Sequence, residues 1–162
     1  MNYSRIVAGS ILLSGLLPFT DSVAAQETPA LWSHCKRVIA ENVQRLEATP
    51  KVKVTANSGF RQLPIPYPDR KANLNREYRF ALDGDGVVNV WQSTKLMTEI
   101  TEEITNGCVG TAAVSFGRDY SSDFATVGLF PDGSIKKFTC GTGFSRRSGA
   151  RTPQVWGEQA CF

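Results

Sequence analysis

Apolar positions recur at helical spacing near the start of the folded part of the chain. Leu31, Cys35, Val38, Ile39, Val43 and Leu46 share one side of a wheel, and Arg37, Glu41, Gln44 and Arg45 occupy the rest. Thr28-Pro29 supplies an N-cap and a first-turn proline, and Thr49-Pro50 ends the run, so a helix is predicted over 31–47. Val52 to Ala56 reads as a short strand. Pro64, Pro66 and Pro68 cannot donate to a sheet ladder, which predicts an exposed loop over 57–76.

Period-two alternation follows. Tyr78, Phe80 and Leu82 alternate with polar or small residues, Asp83-Gly84-Asp85-Gly86 supplies turn residues, and Val87 to Trp91 is β-prone again. That pattern predicts a hairpin. Ser93 or Thr94 then caps a second helix with Leu96, Met97, Ile100 and Ile104 on its apolar face. Asn106-Gly107 is expected to end it in the left-handed conformation. Val109 to Phe116 and Phe124 to Phe130 read as strands, and Pro131-Asp132-Gly133 turns the chain into a further strand over Ser134 to Cys140. Residues 141–152, rich in Gly, Ser and Arg, read as a second exposed loop, and Val155-Trp156 as a last short strand. The fold class expected is α+β: an antiparallel sheet of about five or six strands with two helices on one face.

The first 25 residues follow a different pattern. Arg5 precedes an apolar run from Ile6 to Leu17, Pro18 breaks it, and Ser22-Val23-Ala24-Ala25 places small residues before a cleavage point. This is the layout of a secretory signal peptide. The run falls short of the about 20 residues that a membrane span needs. The organisation expected is a signal peptide over 1–25 and a single domain over 26–162. Losing 25 of 162 residues leaves 137, and losing one Arg and one Asp leaves the net charge at +3. The general character is that of a small secreted or periplasmic bacterial protein, with no stable membrane span after cleavage.

Export changes the reading of Cys35, Cys108, Cys140 and Cys161. An even number of cysteines in an oxidising compartment implies two disulfides. Their spacings of 73, 32 and 21 residues lack the close pairs typical of zinc sites. Antiparallel helices would bring Cys35, near the start of one, to Cys108, just past the end of the other. Cys140–Cys161 would then close the Gly/Arg loop. Cys35–Cys140 with Cys108–Cys161 stays open as the alternative.

Candidate chemistry is sparse, and the motifs tie the chain to no known family. His34 is the only histidine. Its neighbour Cys35 cannot face it on a helix, which leaves no Ser–His or Cys–His arrangement. Asp83 and Asp85 invite a calcium reading, but Val87 and Thr94 stand where an EF-hand loop needs oxygen ligands. No metal and no cofactor are expected. Asp119 and Asp123 flank Tyr120-Ser121-Ser122 and offer a carboxylate pair. Lys136, Lys137, Arg146, Arg147 and Arg151 form a basic stretch with no acidic residue among them, punctuated by Gly141, Gly143 and Gly149. Arginine forks and glycine-rich backbone suit anions. A net charge of only +3 gives no nucleic-acid footprint. Trp32, Trp91, Trp156 and Tyr67 are either core residues or stacking surfaces.

These features point to an exported, non-catalytic binding protein whose ligand-binding residues are Lys136, Lys137, Arg146, Arg147 and Arg151. Its partner is expected to be a protein, an anionic glycan or a lipid headgroup. The alternatives are a small hydrolase with a site at Asp119 and Asp123, or an inhibitor of a secreted enzyme.

Overall fold

The computed structural model describes residues 28–63, 70, 73–141 and 155–159. The region expected to be a signal peptide lies outside them. The first helix, α1 (Pro29–Glu47), starts as its sequence predicts: Pro29 occupies the first turn and the Thr28 hydroxyl accepts the Leu31 N–H at 3.4 Å. It buries Cys35, Val38, Asn42 and Leu46. Two short strands follow, β1 (Lys53–Val54) and β2 (Gly59–Gln62). The loop expected over 57–76 is therefore partly sheet. Its three prolines and Tyr67 lie outside the described residues.

β1 and β2 both pair antiparallel with β3 (Arg76–Asp83), Lys53 opposite Asp83 and Arg61 opposite Glu77. Between them the ladder is bridged rather than broken. The Thr55 N–H donates to the Ala81 carbonyl at 2.8 Å, and the Ala81 N–H donates to the Ser58 hydroxyl at 2.9 Å.

The expected hairpin after β3 does not form. Residues 87–92 make a helix, α2 (Val87–Gln92), although three of the six are valines. Gly84 adopts φ 98°, and a Cβ there would lie 2.1 Å from the Lys51 carbonyl oxygen. A Cβ on Gly86 would meet Pro50 just as closely, at 2.1 Å, and the Gly86 N–H donates to the Lys51 carbonyl at 3.1 Å. The D-G-D-G segment thus lets the chain pass hard against the turn after α1, which a hairpin would not require. Val87 and Val90, one helical turn apart, are fully buried, and the Trp91 indole donates to the Phe116 carbonyl at 2.7 Å. Packing overrides β-propensity here.

α3 (Thr94–Gly107) follows directly. Ser93 sits at its N-cap without a side-chain capping bond, so the expected cap is positional only. Gly107 does not end the helix in the left-handed region. It is the last helical residue, where an added Cβ would be 2.9 Å from Val38 Cγ2 of α1. Its missing side chain permits close helix contact. The turn to φ 76° comes three residues later, at Gly110.

α2 and α3 form a crossover, and β4 (Thr111–Arg118) returns parallel to β3, with Phe80 opposite Phe116. The sheet is therefore mixed rather than antiparallel, and among the described residues three helices accompany it rather than two. β5 (Phe124–Leu129) and β6 (Ile135–Lys137) continue antiparallel, giving a six-stranded sheet in the order β1-β3-β4-β5-β6 with β2 also on β3. The last strands, β7 (Thr139–Cys140) and β8 (Glu158–Gln159), pair parallel as a separate two-stranded sheet. The strand expected at Val155-Trp156 is a turn leading into β8.

Alternation gives the main sheet two faces. Tyr78, Phe80, Leu82, Val114, Phe116, Ala125 and Val127 join Val38, Leu46, Met97, Ile100 and Ile104 of the helices in the main core. The opposite face is only partly apolar. There Phe138, Trp156 and Phe130 pack around Gly128, where a Cβ would be 2.5 Å from the Phe138 ring. Among the described residues, no helix is long and apolar enough to cross a membrane.

Two links fasten α1 against α3, which run antiparallel. At one end Cys35 and Cys108 form a disulfide with a Cα–Cα distance of 4.8 Å. This settles that pair against the alternative Cys35–Cys140. It is the only bridge between two described residues, so of the two expected disulfides one is seen. Cys161 lies outside the described residues, and Cys140 is not free. At the other end Arg45 meets Glu99 and Glu103, each at 2.7 Å, and Asn42 donates to Glu103 at 2.9 Å. Glu103 thus bridges Asn42 and Arg45 of α1.

The disulfide spans 73 residues. Loop-entropy reasoning puts its contribution at about 4 kcal/mol. The double variant Cys35→Ala, Cys108→Ala is expected to lose stability of that order in urea unfolding. A loss comparable with a surface substitution would mean that helix packing alone fixes α1.

Candidate functional site

The residues singled out in the basic stretch do not converge in the part that is described. Lys136 and Lys137 are neighbours on β6 and so point to opposite faces. Lys136 Nζ donates to Asp132 at 3.1 Å and lies 5.1 Å from the centre of the Phe130 ring. Lys137 Nζ reaches the helix side and donates to the Trp91 carbonyl at 3.1 Å. Arg146, Arg147 and Arg151 lie outside the described residues. The segment that carries them leaves from β7 and returns through β8. These strands are joined by the Gly141 N–H donating to the Gln159 carbonyl at 2.9 Å.

Asp119 and Asp123 lie in the turn between β4 and β5, with different tasks. Asp119 accepts both bonds of an Asn57 Nδ2 fork, at 2.9 and 3.1 Å, and the Tyr120 N–H at 3.0 Å. The Asn57 and Thr55 side chains hold its carboxyl below the usual aspartate value. A general acid needs the reverse shift. Asp123 closes the turn with its backbone: its carbonyl accepts the Arg118 N–H at 2.9 Å and its N–H donates to the Ser121 hydroxyl at 3.0 Å. The Ser121 carbonyl in turn accepts from Arg79 Nη2 at 3.2 Å. At the tip, Tyr120 is 95% exposed with φ 53°.

A second polar group lies on the sheet face away from the helices and was not singled out from the sequence. Arg61, Glu77, Arg79, Ser115 and Thr126 share that face by register. The Ser115 hydroxyl donates to Glu77 at 3.2 Å and shares a 3.0 Å bond with the Thr126 hydroxyl. Burial raises the Glu77 carboxyl above its ordinary value, opposed by the Ser115 bond and by the charges of Arg61 and Arg79. The Arg79 guanidinium lies over Gly117, where a Cβ would be 2.7 Å from Nη2. Its Nε is buried and has no hydrogen-bond partner among the described residues. On the far side, Gln159 acts as a substitute strand edge: its amide oxygen accepts the Thr126 N–H at 3.0 Å and its Nε2 donates to the Phe124 carbonyl at 3.3 Å. The only signal in the sequence was the polar half of the β3 alternation, Glu77 and Arg79, which equally suits a solvated face.

No protein-family model matches this chain, and no curated protein or solved structure matches it either.

Two carboxyls give opposite pH dependences. Asp132 is lowered from 3.8 to about 2, chiefly by the Ser134 hydroxyl, then by the Ser134 N–H and Lys136. Its contribution to stability is complete above 3.8 and is lost as pH falls through about 2. Glu77 is raised above 4.5, so its contribution is complete below that value and is lost as pH rises through its own higher value. In urea unfolding, Asp132→Asn is expected to be less stable than wild type at neutral pH and to converge with it near pH 2. Glu77→Gln is expected to gain on wild type as pH rises above 4.5. Parallel pH curves for wild type and either variant would remove the corresponding assignment.

Proposed function

We propose that this chain is a small exported binding protein that acts without catalysis, in the periplasm or outside the cell. We propose further that it meets a protein partner through the turn carrying Tyr120. The observation that carries this reading is the presentation of that ring, 95% exposed on a backbone at φ 53°. The left-handed region costs a non-glycine residue roughly 1–2 kcal/mol. Such a residue persists where its surroundings over-determine it. Here Asn57 fixes Asp119, Asp119 takes the Tyr120 N–H, and Arg79 takes the Ser121 carbonyl. A tyrosine presented on a rigid turn loses little freedom on binding and offers a large contact area.

A second reading keeps an anionic glycan or lipid headgroup as the partner, bound through Lys136, Arg146, Arg147 and Arg151, with Lys137 left out of the expected set because it turns to the Trp91 carbonyl on the helix side. What supports it is the pairing of β7 with β8, which sets Cys140 opposite Gln159, two residues before Cys161. In this proposal a Cys140–Cys161 bridge closes the arginine-bearing segment. The hydrolase alternative draws no support from Asp119, whose carboxyl is engaged by Asn57 and lowered rather than raised.

Tyr120→Gly separates binding from folding. Glycine relieves the left-handed strain, so the variant is expected to match or exceed wild-type stability by up to about 1 kcal/mol. Affinity capture from the native exported fraction is expected to retain a protein on immobilised wild type and to lose it on the variant. Loss of an interface anchor of about 2 kcal/mol corresponds to roughly 30-fold in affinity. Undiminished capture by the variant would remove Tyr120 from the interface.

A further inference from the structure

The sheet face opposite the helices carries a donor set of which the Tyr120 reading uses only one bond, from Arg79 Nη2 to the Ser121 carbonyl. On β2 and β3, Arg61 stands opposite Glu77, and Gly59 stands opposite Arg79. A guanidinium offers five N–H donors in a planar fork. In Arg79 one nitrogen is spent on the Ser121 carbonyl at 3.2 Å, while the buried Nε has no acceptor among the described residues. An unpaired buried donor is costly, and a charged one more so. Glu77 does not relieve it. That carboxyl is engaged by Ser115 at 3.2 Å, and among the described residues no ion pair joins it to Arg61 or Arg79.

The face is also accessible beside this donor. A side chain built on Gly59 would meet nothing within 4 Å, and Arg61 is exposed. Beneath it Ala81, Ala113, Ser115 and Gly117 are small but buried, with the Arg79 guanidinium over Gly117 and Phe138 and Trp156 packed around Ala113, so the open side of the site is the β2 edge at Gly59 and Arg61.

We propose that Arg79 and Arg61 form a binding site for a phosphoryl or sulfuryl group on this face, with the Arg79 Nε–H as its fixed donor. Two guanidinium groups against one carboxylate leave an excess of positive charge, and the planar fork matches the oxygen spacing of a tetrahedral oxyanion. The site is separate from the basic stretch at 136–151 and from the tip of Tyr120. It shares with the Tyr120 turn only the Arg79 bond to Ser121.

Titration of the isotope-labelled folded chain tests this by amide NMR, with sodium phosphate and sodium sulfate as probes. Sodium chloride and sodium acetate at equal ionic strength serve as controls. Saturable shifts are expected at Gly59, Arg61, Arg79 and Ser115 with phosphate or sulfate. Chloride should give none, and acetate a weaker response. Arg61→Ala is expected to weaken binding about tenfold, and Arg79→Lys likewise, since lysine keeps the charge but lacks the Nε–H. Because Arg79 also steadies the turn, Gly59→Glu provides the independent arm. Its carboxylate would occupy the open space beside Arg79 and abolish the phosphate shifts, whereas Gly59→Gln would retain them. Identical responses to chloride and phosphate would overturn the proposal. So would undiminished binding by Gly59→Glu, or an Arg79→Lys variant equal to wild type.

Discussion

The parallel pairing of β3 with β4 governs the rest of the molecule. Parallel neighbours cannot be joined by a tight turn and need a crossover of a dozen residues or more. The chain meets that requirement with α2 and α3 between Asp83 and Thr111. The crossover sets α3 against one face, and α1 joins it there through the Cys35–Cys108 disulfide and the Arg45 contacts with Glu99 and Glu103. Tyr78, Phe80 and Leu82 of β3 and Val114 and Phe116 of β4 are consumed there in one core.

The same arrangement decides what the other face can be. With the helices committed to one side, the opposite side is covered at one end by Phe138, Trp156 and Gln159, which fasten the C-terminal strands to β5. Next to them lies the polar row from Arg61 to Thr126. Its members hold one another through Ser115 and through the position of Arg79 over Gly117. The turn after β4 grows out of this row, because Arg79 takes the Ser121 carbonyl. The Tyr120 turn and the proposed Arg79 site are thus neighbours built on one pair of strands, and the helices contribute to neither directly.

How much of this was legible depended on whether local pattern and long-range pairing agreed. They agreed for α1, where Thr28, Pro29 and the Cys35-to-Leu46 stripe all predict what forms. They agreed for β4, β5 and the turn at Pro131-Asp132-Gly133. They disagreed at residues 83–92. There Asp-Gly-Asp-Gly followed by valines reads as a hairpin, while the glycines serve a close backbone passage past Pro50 and Lys51. That single misreading hides the parallel pair, since a hairpin would have made the sheet antiparallel. Gly107 shows the same effect, because its role comes from Val38, 69 positions away in the chain. The Cys35–Cys108 bridge was legible because it follows from two helix ends meeting. The Arg79 site was not, since alternation shows that Glu77 and Arg79 share a face but not what lies over it.

β3 and β4 run side by side in parallel, with a helical crossover between them. Nuclear Overhauser measurements on the labelled chain test it most directly. Interstrand amide contacts in parallel register are expected between Tyr78–Leu82 and Val114–Arg118, with sequential helical contacts through 87–92. Antiparallel contacts between residues 78–82 and 87–91, the signature of a hairpin closed at Gly84, would contradict it.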